Sequence, residues 1–216
     1  GLSAVASNYF LSSYPPAHNG TYVKVNERFS ANFEPWFATD PAKSLTGSWT
    51  DNQWVGNNSP HRFHIDLGSG VVVTRIYYEN GHNNGGTVTM GAADFTFWGS
   101  DSPSSFSSMT YGTDTGWTQL PVDATQFAMH AVADAPDPKY ITVTNATPYR
   151  YYGFKIATNW GYSYCTMRRL ELQKTVTINQ RSKFAMADGS LIAGGIAFAD
   201  ANGRLTNSTG ATMAGS

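Results

Sequence analysis

The feature that most limits the fold of this chain is a short alternation of apolar and polar residues, repeated between residues 36 and 173. A period of two residues is typical of β-strands, and no long segment here spaces its apolar residues as a helix would. Gly, Pro, Asn and Asp separate the alternating segments, as turns require. The sequence therefore predicts an all-β domain with eight strands, at 62–67, 71–79, 94–98, 117–120, 126–132, 140–143, 149–158 and 167–173.

Eight short strands in about 140 residues fit a two-sheet sandwich of the jelly-roll type. Segment 149–156 illustrates the pattern, because Arg150, Tyr152, Phe154 and Ile156 fall on one face and the residues between them on the other. We expect one face of this strand to be buried.

Composition narrows the function. The 216 residues include 14 basic and 15 acidic ones, so neither nucleic acid nor an anionic membrane is an expected partner. Only 13% of residues are charged, and such a neutral polar surface is typical of secreted, virion and cell-envelope β proteins. The longest nearly apolar stretch, 191–199, is far short of the roughly 20 residues that span a bilayer, so membrane insertion is not expected. We expect an extracellular location, on a virion or a bacterial cell surface.

The chain has a single cysteine, Cys165. With one cysteine, the chain can form neither an intramolecular disulfide nor a cysteine-based zinc site of its own. Stability must come from packing.

The chain changes character near Lys174. All six Trp and all twelve Tyr precede that point, and Gly, Ala, Ser, Thr and Asn dominate after it. We predict an N-terminal arm at 1–34 that packs on the core, a β-domain at 35–173 and an extended β-hairpin tail at 174–216. Turns are expected at 188–189 (Asp-Gly) and 202–203 (Asn-Gly).

Two or three uncovered hairpin strands are marginal in water, because they bury too little apolar surface to offset their ordering entropy. The tail is therefore expected to pack against other chains, with a homotrimer as the first guess by analogy with phage fibres. A polar tail without fixed structure and a strand added to the jelly roll are the alternatives.

Several blocks of the sequence resemble a known family. They are Trp49 and Trp54 followed by FHIDLG (63–68) and VTRI (73–76), then FTFWGSD (95–101), GWTQL (116–120), YRYYGFKI (149–156) and RLEL (169–172). In this order they are similar to the discoidin family, also called coagulation factor 5/8 type C, which overlaps family-32 carbohydrate-binding modules. The match covers about 35–173.

The resemblance implies a galactose-binding-like, eight-stranded jelly roll that holds its ligand in loops at one end. Eukaryotic members usually tie their ends with a disulfide, which this chain cannot do, so it looks more like bacterial and phage versions. Family members often bind sugar with an aromatic residue, a His or Arg, and an Asn.

The loops offer such residues, because a sugar site needs an aromatic face and a few planar hydrogen-bonding groups. Two alternatives stay open. The run 80–86 is also ordinary turn chemistry, and Trp160 and Tyr162 could cap the core; Trp49 and Trp98 are expected in the core. The predicted ligand-binding residues are Trp160, Tyr162, His82, Asn83, Asn84, Trp54 and Asn159.

Many relatives hold a structural calcium ion near the loop after their first conserved aromatic residue. The matching stretch here, 40–48, offers Asp40, Thr46 and Ser48, with Lys43 opposing a cation. One carboxylate is a thin donor set for calcium, which takes six to eight oxygens.

No catalytic motif appears: the chain has no Gly-x-Ser-x-Gly elbow, phosphate loop or dinucleotide fingerprint. The leading hypothesis is a non-catalytic carbohydrate-binding or adhesion module of a phage virion or bacterial surface protein, with a cell-surface glycan as its partner. The rival is a structural virion or envelope module that makes protein contacts and binds no sugar. A third possibility is an appendage of a larger glycoside hydrolase.

Overall fold

A computed structural model describes residues 5–58, 60–180, 183–185, 191–193, 198–199 and 205–206, with side chains for 8–58 and 60–177. The chain forms two compact units, residues 10–175 and residues 1–9 with 176–216, which we describe separately. The strands are β1 (Val5–Ser13), β2 (Val23–Val25), β3 (Trp54–Asn57), β4 (His61–Val71), β5 (Arg75–Asn80), β6 (Phe95–Ser100), β7 (Thr118–Leu120), β8 (Lys139–Thr142), β9 (Tyr149–Ile156), β10 (Tyr164–Gln180), β11 (Lys183–Ala185), β12 (Leu191–Ala193), β13 (Phe198–Ala199) and β14 (Leu205–Thr206).

Helical structure in the described residues is short. The α-helix α1 spans Pro103–Ser107, with Ser102 as its N-cap, and single 3₁₀ turns span Ala31–Phe33, Pro35–Ala38 and Val88–Met90. No helix among the described residues is long and apolar enough to cross a membrane.

Two antiparallel sheets form the sandwich, which confirms the predicted all-β architecture. One has the strand order β1-β10-β5-β8, with β3 also paired to β10, and the other has the order β2-β4-β9-β6-β7. Apolar side chains from both sheets pack into one core, and their burial is the main stabilising term. The fully buried members include Trp54, Phe63, Phe97, Phe127, Phe154 and Ile76.

Strand β9 lies in the middle of its sheet, between β4 and β6. Its alternation is as predicted, with Tyr152, Phe154 and Ile156 in the main core. The expected buried face is thus present, and the opposite face is covered as well, because Tyr151 packs there against Phe106 and Trp117. The segment between β6 and β7 supplies both residues and covers this face.

Four expectations at the level of strands were wrong. Segment 126–132 forms a single bridge, between Gln126 and Asp94, in place of a strand. Its backbone instead bonds to side chains: Ala128 N–H donates to the Tyr78 hydroxyl, and the Ala128 carbonyl accepts from Asn80. Strands β1, β2 and β3 were not predicted. Residue Val23 of β2 is fully buried opposite Ile65.

Segment 10–34, in the predicted arm, thus belongs to the same compact unit as the sandwich. In the other unit, β11 pairs with β12 and β13 pairs with β14, both antiparallel. The turns predicted at 188–189 and 202–203 lie outside the described residues.

Candidate functional site

The loops that carry the predicted ligand-binding residues meet at one end of the sandwich. Ile156, the last residue of β9, pairs with both His61 and Phe95, the first residues of β4 and β6. Because the three strands are antiparallel, the segments 157–163 and 81–94 and residue Pro60 emerge from the same end. Tyr164 opens β10 beside Asn57, which closes β3.

Four aromatic rings form a partly exposed cluster at this end, which we call the aromatic surface: Phe29, Trp49, Tyr162 and Tyr164. The ring of Tyr164 is central, with its centroid 4.9 Å from that of Phe29, 5.8 Å from that of Trp49 and 5.9 Å from that of Tyr162. Phe29 is 47% exposed and Tyr162 is 37% exposed. Such rings present apolar faces to solvent, where a ligand can stack.

Backbone contacts hold these rings in place. The Phe29 amide donates to the Val55 carbonyl of β3 at 2.8 Å. The Trp49 amide donates to Asn83 Oδ1 at 3.2 Å, and the buried ring of Phe33 supports Trp49 at 5.2 Å. The aromatic surface is therefore built on strand ends and a buried ring.

Polar groups flank the aromatic surface. Asn57 is exposed and donates to the Glu27 carboxylate. On another side, Asn84 is exposed in the left-handed region, with φ of 49°, and donates to Asn83 Oδ1 at 3.1 Å. Amide groups beside exposed rings are the pairing that sugar hydroxyls require.

A cavity of about 320 Å³ adjoins this region. Glu27 lines it and joins it to Asn57, and Arg28 forms an ion pair with Glu34 at its wall. Trp36, half-buried, lines it too. Its volume lies at the small end of the range of ligand pockets, which is about 300–1,000 Å³.

Two predicted ligand-binding residues are enclosed by the fold. Trp54 is fully buried between the sheets, and its indole N–H donates to the Glu27 carbonyl at 3.2 Å. His82 is also fully buried, below the loops, and its ring bonds to the backbone of Leu45 and Gly85. Neither side chain reaches a ligand at the surface, because neither has an exposed atom to offer.

Asn159 and Trp160 shape their loop. The Asn159 amide donates to the carbonyls of Tyr162 and Tyr164, and its oxygen accepts from the Gly161 amide at 2.8 Å. Trp160 is half-buried, and its indole N–H donates to the Phe127 carbonyl at 3.0 Å. These residues hold Tyr162 in position, since their own hydrogen-bonding groups are already used within the protein.

The sequence reasoning missed Phe29, Trp49 and Tyr164. Trp49 was expected in the core because it matches a structural block of the family, but it is half-exposed. Phe29 lies in the segment interpreted as an arm. A signal existed in each case, since a large aromatic residue within a Ser- and Asn-rich loop has no alternating strand to bury it.

Oxygens of the residues proposed for calcium already accept hydrogen bonds within the protein. Asp40 Oδ1 accepts from the Ala42 amide, which closes its own turn, and Ser48 Oγ accepts from the Thr50 amide. The Thr46 carbonyl accepts from the guanidinium of Arg168 at 3.1 Å.

The positive charge next to this loop comes from Arg168 of β10. It is fully buried, and its guanidinium donates to the carbonyls of Ser44, Thr46, Gly47 and His82 at 2.8–3.1 Å. Burial lowers the pKa of Arg168 to about 10, so it stays protonated at neutral pH. These carbonyls are the kind of oxygen that calcium takes, and a guanidinium already uses them. The donor set therefore does not fit a calcium ion. The described residues also contain no group of three or more His, Cys, Asp or Glu side chains that could hold a metal.

The chain is similar to two solved structures that have this fold. A chain of the Streptococcus pneumoniae β-galactosidase BgaA has a TM-score of 0.56 at 9% identity, over 77% of this chain and 97% of that one. Truncated AlyQ, with family-32 carbohydrate-binding (CBM32) and alginate lyase domains, has a TM-score of 0.52 at 14% identity, over 83% of this chain and 36% of that one. No protein-family model and no curated protein matches the sequence. The sandwich thus has the galactose-binding-like fold of family-32 carbohydrate-binding modules.

Proposed function

We propose that this chain is a non-catalytic carbohydrate-binding module that stacks a sugar ring on the aromatic surface. The observation that carries the proposal is the exposure of Phe29 and Tyr162 at the loop end, where the ring of each contacts that of Tyr164. The C–H face of a pyranose is apolar and packs on aromatic rings, while its hydroxyls need hydrogen-bonding partners at the edge.

Those partners are the amides beside the aromatic surface. Asn84 is exposed and held by Asn83, and Asn57 lies next to Tyr164. Of the residues predicted from the sequence, Tyr162, Asn83 and Asn84 thus stay in the proposed site, with Asn159 and Trp160 as its supports. The cavity beside Glu27 would take the next sugar of a chain, with Trp36 as its apolar wall.

The expected affinity is low. A shallow site with few stacking rings should bind at millimolar to micromolar strength, about -4 to -8 kcal/mol. The fold supports the proposal as an analogy, because a fold by itself does not fix function.

A second candidate, a module that makes protein contacts, is favoured by a different surface. On the outer face of the β1-β10-β5-β8 sheet, the Arg75 guanidinium lies 3.6 Å from the ring centroid of Phe10 and 4.3 Å from that of Tyr140. Phe10 is 39% exposed and Tyr140 is 53% exposed. Exposed aromatic residues with arginine are enriched at protein interfaces.

A glycan array probed with the full chain tests the sugar hypothesis first. The proposal expects one related group of glycans to be captured, and captured less by a Phe29→Ala, Tyr162→Ala double variant. A blank array, together with an unchanged aromatic surface by NMR at millimolar sugar, would favour the protein-contact module.

We further propose an extracellular setting, on a phage virion or bacterial surface, in which residues 174–216 associate with other subunits as a homotrimer. The neutral polar composition supports the setting. Sedimentation of the full chain and of a chain ending at Lys174 tests the association. Trimers that become monomers on truncation are expected, and monomers in both samples would contradict it.

A further inference from the structure

Several hydrogen bonds join the two loops that carry Trp49 and Asn83. The Asn84 amide donates to the Gly47 carbonyl at 3.0 Å, and the Arg168 guanidinium bonds to carbonyls of both loops. The His82 side chain adds a link that depends on its protonation state. Its ring Nε2 lies 3.0 Å from the Leu45 carbonyl oxygen, in the loop that leads to Trp49. Its Nδ1 lies 3.0 Å from the amide nitrogen of Gly85. A single buried ring thus bonds to the backbone of both loops.

These partners fix the protonation state of the ring. An amide N–H is only a donor, so Nδ1 must accept from Gly85 and cannot carry a proton. A carbonyl is only an acceptor, so Nε2 must carry the hydrogen that it donates to Leu45. Both bonds exist only when His82 is neutral, because a proton on Nδ1 would place two N–H groups against each other.

The surroundings of His82 oppose a second proton on the ring. His130 stacks on it with ring centroids 4.1 Å apart, and His130 is itself buried, with its Nε2 3.8 Å from the carboxylate of Glu79. The Arg168 guanidinium donates to the His82 carbonyl at 2.8 Å. Asp134 is the acidic group that faces His82.

Burial is the main cause that lowers the pKa of His82 to about 4, and the charge of Arg168 adds to it. Asp134 acts in the opposite direction, with a smaller effect. The neutral, bonded form is therefore the stable one from neutral pH down to moderately acid pH.

The backbone around Gly85 has little free space. Gly85 has φ of 72°, and a Cβ built there would lie 2.3 Å from the Asp134 nitrogen and 2.4 Å from the Ala133 carbonyl carbon. The backbone of Gly85 is thus packed tightly against residues 133–134. If the bond from the Gly85 amide to His82 is lost, the change therefore affects a closely packed segment.

We propose that His82 is a positioning residue for the sugar site, whose neutral ring holds loops 44–49 and 82–86 together and whose protonation separates them. The link to sugar rests on the proposed function. The joining of the two loops by the neutral His82 ring, which we call the latch, does not. Below the titration point, Trp49 loses its bond to Asn83, and the aromatic surface loses one side. The module would then bind its glycan at neutral pH and release it in acid.

The direct test is an NMR titration of the full chain without ligand, from pH 7 to pH 3.5. The His82 ring should titrate near pH 4, and the hydrogen-exchange protection of the Gly85 amide should fall at least tenfold over the same range. The Phe154 amide in β9 serves as the reference for global unfolding and should stay protected. If His82 titrates while Gly85 keeps its protection, the latch is wrong.

Two variants separate positioning from general stability. His82→Asn keeps an acceptor near Nδ1 and cannot titrate, so Gly85 protection should no longer depend on pH. His64→Gln is the matched control, because His64 is equally buried and its pKa is likewise lowered to about 4, but its Nδ1 bonds to the Phe106 carbonyl. Its Gly85 profile should match that of the wild type, and a shifted profile would contradict the assignment to His82. If His82→Asn fails to fold, the wild-type titration alone decides.

Binding of a glycan captured on the array then tests the link to function. Because half of the His82 rings are protonated at pH 4, affinity in the wild type should fall about twofold between pH 6 and pH 4 and about fourfold by pH 3.5, and it should hold in His82→Asn. Constant affinity in the wild type, with the latch open by exchange, would overturn the link and leave the proposed function standing. A pH-dependent latch in a chain that binds no glycan would overturn the proposed function alone.

Discussion

The buried side chain of Arg168 donates hydrogen bonds to several separate parts of the protein. Its guanidinium contacts carbonyls from loop 44–47 and from His82, and its Nε donates to Gln53 Oε1 at 3.2 Å. The dipoles of these carbonyls therefore compensate the buried charge of the guanidinium.

Replacing Arg168 with Met should therefore destabilise the protein by about 3 kcal/mol or more, because several buried carbonyls lose their donor. Urea unfolding gives the free energy. Arg150→Met is the control, since Arg150 pairs with Asp66 at a partly exposed position and its loss should be much smaller. Equal effects of the two substitutions would show that the carbonyl cradle has no special weight.

The same residue predicts metal independence. A chelator should leave the melting temperature of the wild type unchanged, since the carbonyls of the loop already bond to the guanidinium. A calorimetric scan with and without added calcium measures this. A calcium-dependent rise in the melting temperature would revive the site at Asp40, Thr46 and Ser48.

The close contact between the end of β5 and strand β10 gives a steric prediction. Gly81 follows β5 and lies against β10, where a Cβ would fall 1.6 Å from Thr166 Oγ1 and 2.6 Å from Thr166 Cβ. Gly81→Ala should cost about 2 kcal/mol or more by forcing the two elements apart. Gly112→Ala, at a position with no atom within 4 Å, should be nearly neutral by thermal denaturation. A stable Gly81→Ala variant would show that this crossing is looser than the structure indicates.

The elements also show what local sequence can predict. The alternation in β9 identified a strand and its core residues, because a central strand must bury Tyr152, Phe154 and Ile156. Segment 126–132 misled the same reasoning, since its apolar Phe127 is buried while its backbone bonds to distant side chains. Short-range patterns cannot show bonds between residues fifty positions apart.

The site was predicted in part for the same reason. Loop composition pointed to Tyr162, Asn83 and Asn84, which lie at the same end of the sandwich as the aromatic surface. It also pointed to Trp54 and His82, which the fold encloses. Whether a loop aromatic faces solvent depends on which distant segment covers it, and Phe29 joins Tyr164 only through the pairing of β3 with β10.

For the whole molecule, buried histidines predict how stability depends on pH. Burial lowers the pKa of His61, and it lowers those of His64 and His82 to about 4. In the unfolded chain these rings titrate near 6.5. Between pH 6.5 and about 4 the unfolded chain thus binds more protons at these rings, so the stability that they contribute falls as the pH falls, and this loss is complete below about 4.

The loss should be on the order of 2–3 kcal/mol each for His64 and His82. Melting temperatures measured from pH 7 to pH 3.5 would show it as a steep decline, less steep in a His64→Gln, His82→Asn double variant. A flat profile across this range would contradict the buried, neutral state of these rings.

The proposed function places a sugar on the aromatic surface. Isothermal titration of the glycan selected on the array into wild type, Tyr162→Ala and Tyr140→Ala tests it most directly. Tyr140 is the matched control, a more exposed tyrosine on the outer face of the sheet, away from the loop end. Stacking on Tyr162 predicts an affinity at least tenfold lower, about 1.4 kcal/mol, for Tyr162→Ala and no change for Tyr140→Ala. Unchanged binding in Tyr162→Ala, or a loss in Tyr140→Ala alone, would place the sugar elsewhere and contradict the account.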